Sequence, residues 1–154
     1  ICASDFWVDT RSKLDAGADG ERVRITSAMI EYVGNDNELA AVVAHELSHN
    51  LLAHRARLDR VKKGKTKATL ATEVEADQLS IWLMANAGYE PTATLRFWER
   101  YGKQHGLGIF TAGTHHRWRK RVAIMQAEID LIKATPAKDG LRDPPLLAAY
   151  RNQQ

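Results

Sequence analysis

Two histidines and a glutamate stand at positions that could perform metal-assisted chemistry. Residues 45–49 read His-Glu-Leu-Ser-His, an HExxH motif. On an α-helix His45 and His49 project from one face about one turn apart, the separation that two ligands of one zinc ion require. Glu46 lies about 100° round the helix from His45, beside the metal and not on it. A carboxylate there can take a proton from a zinc-bound water, so the motif predicts hydrolysis with Glu46 as general base.

The apolar setting of the motif favours a functional site. From Leu39 to Ala53 the chain reads LAAVVAHELSHNLLA, in which Glu46 is the only side chain that is charged at neutral pH if the histidines are neutral. Burying a lone carboxylate costs free energy unless it is paired or lies beside a metal. The alternative is an ordinary core helix with hydrogen-bonded histidines and a glutamate at its edge. A third ligand elsewhere in the chain would argue against that alternative.

Glu73 and Asp77 are the candidates for completing the site. They stand four residues apart, in a second long helical pattern that follows the motif. One carboxylate would bind zinc, and the other, one turn along, would accept the free ring N–H of a zinc-bound histidine and fix its tautomer. Glu75 is turned about 200° from Glu73 on a helix, which makes it the less favoured third ligand.

Histidine is not predicted as the third ligand. The metzincin pattern HExxHxxGxxH requires glycine and histidine where this chain has Leu52 and Arg55. His54 lies five residues beyond His49, about 140° round a continuous helix, which predicts a histidine on the helix surface. The metzincin arrangement is therefore excluded, and a carboxylate is the candidate third ligand.

The segment around these motifs resembles a known family. The run AAVVAHELSHNLLAH followed by EVEADQLSIWLMANAGYEPTATLRFW is similar to the HtpX-like and CAAX-prenyl-protease-like (BepA-like) gluzincin zinc metallopeptidases. The resemblance implies that His45, His49 and Glu73 bind Zn2+, one ion per chain. It also implies that Asp77, the aspartate of an ExxxD motif, lies behind these ligands. The resemblance extends from Gly17 to Leu131.

A downstream segment extends the resemblance. Thr114 and His115 with Arg121 are similar to the THPxxxxR segment of the family, although His116 replaces the proline. By this likeness His115 and Arg121 are the favoured catalytic donors to the tetrahedral oxyanion, and His116 and Tyr89 are further candidates. The loop histidines could instead cover the open zinc position and hold the enzyme latent, or form a plain surface pair.

The metal motifs are predicted to lie on helices. The zinc helix should open at Asn35 or Asp36, with Asn35 and Glu38 spaced as a capping box, and continue to about Leu58. Further helices are expected over residues 67–87, 92–104 and 116–133. In the last of these, apolar residues recur at helical spacing and predict a face packed on the core.

Two short strands are predicted before the zinc helix. Phe6-Trp7-Val8 and residues 22–27 have strand character, with a turn at 18–20 between them. Polar and apolar residues alternate over 22–26, the pattern of a half-buried edge strand, which is the expected substrate-binding strand. The expected fold class is therefore α+β and mainly helical, a zincin-like domain with a small β-sheet and an HExxH active-site helix.

Length and composition fit one compact enzyme domain. The chain has 154 residues, of which 44% are hydrophobic and 27% charged, ordinary values for a globular protein. We expect a zincin-like metallopeptidase catalytic domain at 1–134 and an irregular C-terminal tail at 135–154, where prolines are frequent. No apolar stretch approaches the roughly 20 residues that a bilayer requires. The first residue, Ile1, leaves room upstream for a signal peptide or an anchor.

Positive charge is concentrated in two runs, HRARLDRVKKGKTK at 54–67 and RWRKR at 117–121. Such runs are usually solvated faces, although they could attract a membrane surface or nucleic acid. The favoured function is a zinc-dependent endopeptidase acting on protein or peptide substrates, with a role in protein quality control of the cell envelope implied by the resemblance. The alternatives are a DNA-associated HExxH protease, disfavoured because those enzymes typically use a third histidine, and a latent or non-catalytic zinc-binding interaction module.

Overall fold

The computed structural model describes residues 4–11, 13–105 and 118–152. Helices predominate and pack beside a small three-stranded sheet, which confirms the expectation of a mainly helical protein with a small β-sheet. The strands are β1 (Asp5–Asp9), β2 (Ala16–Ala18) and β3 (Arg22–Thr26). The helices are α1 (Ser27–Tyr32), α2 (Asp36–Leu51), α3 (His54–Asp59), α4 (Lys65–Asn86), α5 (Thr92–His105), α6 (Trp118–Ala134) and α7 (Pro145–Arg151).

The sheet has β3 at its centre. β3 pairs in parallel with β1 and antiparallel with β2, which gives the strand order β1-β3-β2. Val23 and Ile25 of β3 are buried, and the arginines that alternate with them remain partly exposed. The prediction of an edge strand at 22–26 is therefore wrong, because a strand with one partly solvated face can still have a neighbour on each side. β2 carries little sequence signal, since Ala-Gly-Ala lacks the branched and aromatic residues that favour strands.

The start of α2 is capped by Asn35. Its side-chain oxygen accepts the backbone N–H of Glu38 at 3.1 Å, as the predicted cap requires. The Glu38 carboxylate accepts the backbone N–H of Gly34 at 2.9 Å and binds both terminal nitrogens of Arg100 in α5. In a capping box the Glu38 carboxylate would accept the N–H of Asn35, but here it accepts that of Gly34, one residue earlier. The ion pair with Arg100 connects α2 to α5.

A break after α2 separates it from α3. The helix ends at Leu51 and does not reach Leu58, because Ala53 adopts the left-handed conformation with φ 49°. The other predicted helices are confirmed as α4, α5 and α6, and α4 ends just before Gly88, whose φ of 81° suits a residue without a side chain. Within the described ranges, no helix is both long and apolar enough to cross a membrane.

The core lies between the sheet and helices α2, α4, α5 and α6. α2 packs along α4, and α5 and α6 pack on each other and on these two helices. Among its buried side chains are Val23, Met29, Ile81, Trp82, Phe97, Met125 and Ile129. Met125 and Ile129 belong to the apolar face predicted for α6. Because α2 and α4 share a buried face, polar side chains there are held in defined positions.

The C-terminal segment, which the sequence predicts to be irregular, contains a short helix. Within residues 135–154, α7 begins with Pro145 at its first turn, where proline is well tolerated because the missing N–H has no helical partner. Asn86 of α4 binds the loop that precedes α7. Its side chain accepts the backbone N–H of Arg142 and donates to the backbone carbonyl of Arg142. The proline pair that suggests a loop also starts a helix. The division into a domain at 1–134 and a tail stays a prediction.

Candidate metal centre

Three side chains converge where α2 packs on α4. His45 and His49 come from α2, and Glu73 comes from α4. The Nε2 atoms of the two histidines lie 3.2 Å apart, and each is 3.5 Å from an oxygen of the Glu73 carboxylate. Their ligand atoms all lie within 4.8 Å of one another, an arrangement that could hold a metal ion.

The spacing of these atoms fits a tetrahedral metal. With bonds of about 2.0–2.1 Å to nitrogen and oxygen, neighbouring ligand atoms at tetrahedral angles stand roughly 3.3–3.4 Å apart. The two nitrogens are 3.2 Å apart, His45 Nε2 is 3.5 Å from Oε2 of Glu73, and His49 Nε2 is 3.5 Å from Oε1, so each separation is close to that value. Two imidazole nitrogens and one carboxylate oxygen are a donor set suited to zinc, and three protein ligands leave a fourth position open.

Asp77 supports His45 from behind the candidate metal position. Its Oδ1 lies 3.1 Å from Nδ1 of His45, and Arg121 of α6 donates to both of its carboxylate oxygens, at 2.9 and 2.6 Å. The guanidinium carbon of Arg121 lies 3.5 Å from the ring centroid of Trp98. All four side chains are buried. Because Asp77 accepts from Nδ1, the neutral form of His45 has its lone pair at Nε2, as a metal ligand requires.

Burial and neighbouring charge act differently on the two histidines. Burial acts to lower the pKa of His45, but the carboxylates of Asp77 and Glu73 outweigh it and raise that pKa to about 9. Burial, together with the positive charge of His45, lowers the pKa of His49 to about 3. The carboxylates therefore favour one positive charge at this place. A divalent cation would satisfy the same electrostatic demand that protonation of His45 satisfies.

Glu46 lies in a cavity beside the three converging side chains. The cavity has a volume of about 280 Å³, and the residues that line it include Ala16, Gly17, Ala18, His45, Glu46, His49, Asn50, Arg55 and Glu73. Burial raises the pKa of Glu46 to about 7, against the opposing charge of His45. A carboxyl group that titrates near neutral pH can both accept and release a proton there.

The edge strand β2 forms one wall of this cavity. Its ladder to β3 uses the carbonyl of Asp15, which accepts from Thr26, and the N–H of Asp19, which donates to Arg22. Backbone groups alternate in direction along an antiparallel strand, so those of Ala16 and Ala18 face away from β3. Within the described residues β2 is an edge strand, and its three residues line the cavity.

His54 and Glu75 form a second contact network, around His49. His54 is buried, with only 1% of its surface exposed, although it was predicted on a helix surface. Its Nδ1 lies 2.8 Å from Nδ1 of His49, and its Nε2 lies 2.9 Å from the carboxylate of Glu75, which also binds Arg57. The prediction is wrong because it assumes one continuous helix, whereas the left-handed residue Ala53 turns His54 inward.

Of the predicted oxyanion donors, the two that the structure describes, Arg121 and Tyr89, do not line the cavity that contains Glu46. His115 and His116 lie outside the described residues, as does Thr114. Arg121 donates to Asp77, lies against Trp98 and has its Nη2 3.4 Å from both ring nitrogens of His45, but it does not line the cavity. Tyr89 lines a separate groove between α2 and α4, among apolar side chains such as Leu39 and Val43.

The amino-terminal part of the chain matches a known family. Residues 6–72 match the sequence model of Peptidase family M48. Over these residues the chain is similar to the M48 peptidases. The match includes His45, Glu46 and His49 and ends one residue before Glu73, so it covers the HExxH motif but not the glutamate that meets it in space.

Two curated relatives are also similar to this chain. The chain is 25% identical over 137 residues to a beta-barrel assembly-enhancing protease of Yersinia pestis, covering 64% of this chain and 28% of that protein. It is 25% identical over 109 residues to the mitochondrial metalloendopeptidase OMA1 of Saccharomyces cerevisiae, covering 53% and 31%. The chain thus spans about three tenths of the length of these relatives. The matched family is described as a peptidase family, and the two relatives are named as a protease and a metalloendopeptidase.

Proposed function

We propose that this chain is a zinc-dependent endopeptidase of the gluzincin type, with a zincin-like catalytic domain. Zinc would be held by His45, His49 and Glu73, one ion per chain. The observation that carries the proposal is the convergence of these side chains next to a cavity that contains Glu46: the two Nε2 atoms lie 3.2 Å apart, and each is 3.5 Å from a different oxygen of the Glu73 carboxylate.

Glu46 is the proposed general base. When bound, zinc supplies a Lewis acid that polarises a peptide carbonyl and makes water more acidic. Glu46 accepts a proton from the attacking water and passes it to the nitrogen of the leaving amine, so the C–N bond breaks and no net proton is consumed. Its position in the cavity and its pKa of about 7 suit both transfers.

Arg121 and Asp77 are proposed to orient His45. Asp77 accepts the Nδ1–H of His45, and Arg121 fixes both oxygens of Asp77. This role for Arg121 differs from the oxyanion donor predicted from the family resemblance, because its guanidinium is enclosed by Asp77 and Trp98. His115 stays a proposed catalytic donor on the resemblance alone.

The substrate main chain is proposed to pair with β2. The outward-facing backbone groups of Ala16 and Ala18 border the cavity that contains Glu46, so a peptide added to this edge would lie beside the metal position. Main-chain pairing depends little on side-chain identity, which suits an enzyme acting on varied or unfolded proteins. From its likeness to a protease named for β-barrel assembly, we also propose a role in protein quality control of the cell envelope.

The test compares bound zinc and casein cleavage in the wild type and in Glu46→Gln, Glu73→Gln and Glu31→Gln. Glu46→Gln should keep zinc and lose cleavage by about 10²–10⁴-fold, since it removes only the proton acceptor. Glu73→Gln should lose zinc and cleavage together. Glu31→Gln, at an exposed site in α1, should change neither.

Three outcomes would contradict parts of the proposal. Full cleavage by Glu46→Gln would exclude Glu46 as the base. Tight zinc binding by Glu73→Gln would exclude Glu73 as the third ligand. Zinc binding by the wild type without cleavage of any unfolded protein would favour the latent interaction module, and salt-dependent DNA binding would favour the DNA-associated protease.

A further inference from the structure

His49 is the first member of a continuous line of hydrogen bonds that leads away from the metal centre. Its Nε2 faces His45 and Glu73, and its Nδ1 lies 2.8 Å from Nδ1 of His54. On the far side of His54, Nε2 lies 2.9 Å from Oε2 of Glu75. Both terminal nitrogens of Arg57 donate to the carboxylate of Glu75, at 2.5 and 3.1 Å.

With His54 neutral, one arrangement of protons satisfies every contact in this line. The ionised Glu75 carboxylate can only accept, so Nε2 of His54 must carry a proton. A neutral His54 then has its lone pair at Nδ1, where it can accept only if Nδ1 of His49 carries a proton. That in turn leaves Nε2 of His49 with the lone pair that a metal ligand needs.

We propose that His54 is a positioning residue for the metal centre: held by Glu75 and Arg57, it fixes the tautomer and the ring orientation of His49. The inference rests on the proposed function, since it takes His49 to be a zinc ligand. His54 does for His49 what Asp77 does for His45, with a neutral imidazole between the ligand and the carboxylate. Plain packing would need a side chain of this shape, but it would not need an acceptor at Nδ1.

Histidine tautomers give a direct test that a packing role would not satisfy. Long-range proton–nitrogen NMR correlations of the zinc-loaded chain, with 15N-labelled histidine, distinguish which ring nitrogen carries the proton. His54 should carry its proton on Nε2 alone, and His49 should carry its proton on Nδ1. A proton on Nδ1 of His54, alone or together with one on Nε2, would overturn the inference.

Zinc affinity gives the second test, measured by competition with a chelating dye. His54→Leu should bind zinc about 10–100-fold more weakly, the usual cost of losing a partner of a ligating histidine. His54→Asn can place its side-chain oxygen near the former Nδ1 position, so it should recover part of that loss. Ile129→Val, a conservative change in the core, should lower the unfolding temperature without changing zinc affinity.

The outcomes separate this inference from the proposed function. A wild-type chain that binds no zinc would overturn both. Stoichiometric zinc binding by the wild type, with unchanged affinity in His54→Leu, would overturn the inference and leave the function standing. Equal losses in His54→Leu and His54→Asn would reduce His54 to a packing residue and would also overturn it.

Discussion

The two histidines of the candidate metal centre are supported in different ways. Behind His45, Asp77 and Arg121 form an ion pair in which both side chains are almost wholly buried, at 1% and 3% exposure. Behind His49, the ion pair is one residue further out, between Glu75 and Arg57, and its side chains are 25% and 41% exposed. His54 lies between that pair and His49.

The different burial of the two ion pairs predicts different effects on stability. Both partners of a buried ion pair have lost their contact with water, so removing one partner leaves the other as a charge that water cannot reach. An ion pair near the surface can exchange its partner for water at little cost. We therefore expect the His45 support to couple the metal centre to the stability of the fold, and the His49 support to act mainly on the alignment of the ligand.

The largest expected effect tests the buried support. Arg121→Leu removes the guanidinium that donates to both oxygens of the buried Asp77 carboxylate, so the free energy of unfolding should fall by about 3–5 kcal/mol, measured by urea denaturation. Lys120→Leu, an exposed neighbour on the same helix, should change it by no more than about 0.5 kcal/mol. If the two variants lose equal stability, the contrast between the supports does not hold. A second change, Asp77→Leu, made together with Arg121→Leu, should recover part of the loss.

The parts of this site that could be predicted are those in which residues are close in sequence. His45, Glu46 and His49 lie within one helical turn or so of each other, and helix geometry alone relates their directions. The same holds for Glu73 and Asp77. Bringing these two groups together requires the packing of α2 on α4, which no periodicity encodes, so that step depended on the resemblance to a family.

The parts that could not be predicted depend on single backbone angles and on distant contacts. Ala53 adopts a left-handed conformation that alanine rarely shows, and nothing in the sequence marks it, so His54 was placed on the wrong surface. Trp98 reaches Arg121 from a different helix, with no local pattern to relate them. β2 has three small residues, and its role as the edge strand becomes visible only when β3 is seen between two neighbours.

An intermediate effect is expected at a third ion pair, between Glu38 and Arg100. Glu38 is 4% exposed and Arg100 is 33% exposed, so this pair stands between the two supports in burial. Glu38→Gln removes charged hydrogen bonds to Arg100 and should lower the free energy of unfolding at pH 7 by about 1.5–3 kcal/mol. Glu99→Gln, which breaks an exposed pair with Lys103, serves as the control.

The same pair predicts a dependence on pH. Hydrogen bonds from Arg100 hold the pKa of Glu38 below its ordinary value of 4.5. Its contribution to stability is therefore complete above pH 4.5 and is lost as the pH falls through the lowered value in the folded protein. The difference in unfolding free energy between wild type and Glu38→Gln should be smaller at pH 3 than at pH 7. An equal difference at both pH values would contradict the assignment.

The smallest expected effect tests the ion pair between Glu75 and Arg57, behind His49. Arg57→Leu removes the cation from Glu75, but both side chains already meet solvent, so the free energy of unfolding should fall by only about 0.2–1 kcal/mol. Arg55→Leu, whose exposed pair with Asp59 lies on the same helix, provides the matched comparison. A loss as large as that of Arg121→Leu would show that the outer pair also stabilises the fold. A small loss accompanied by weaker zinc binding would instead mean that Arg57 acts through Glu75 and His54 on the direction of the His49 ring, because alignment can be lost while the fold is kept.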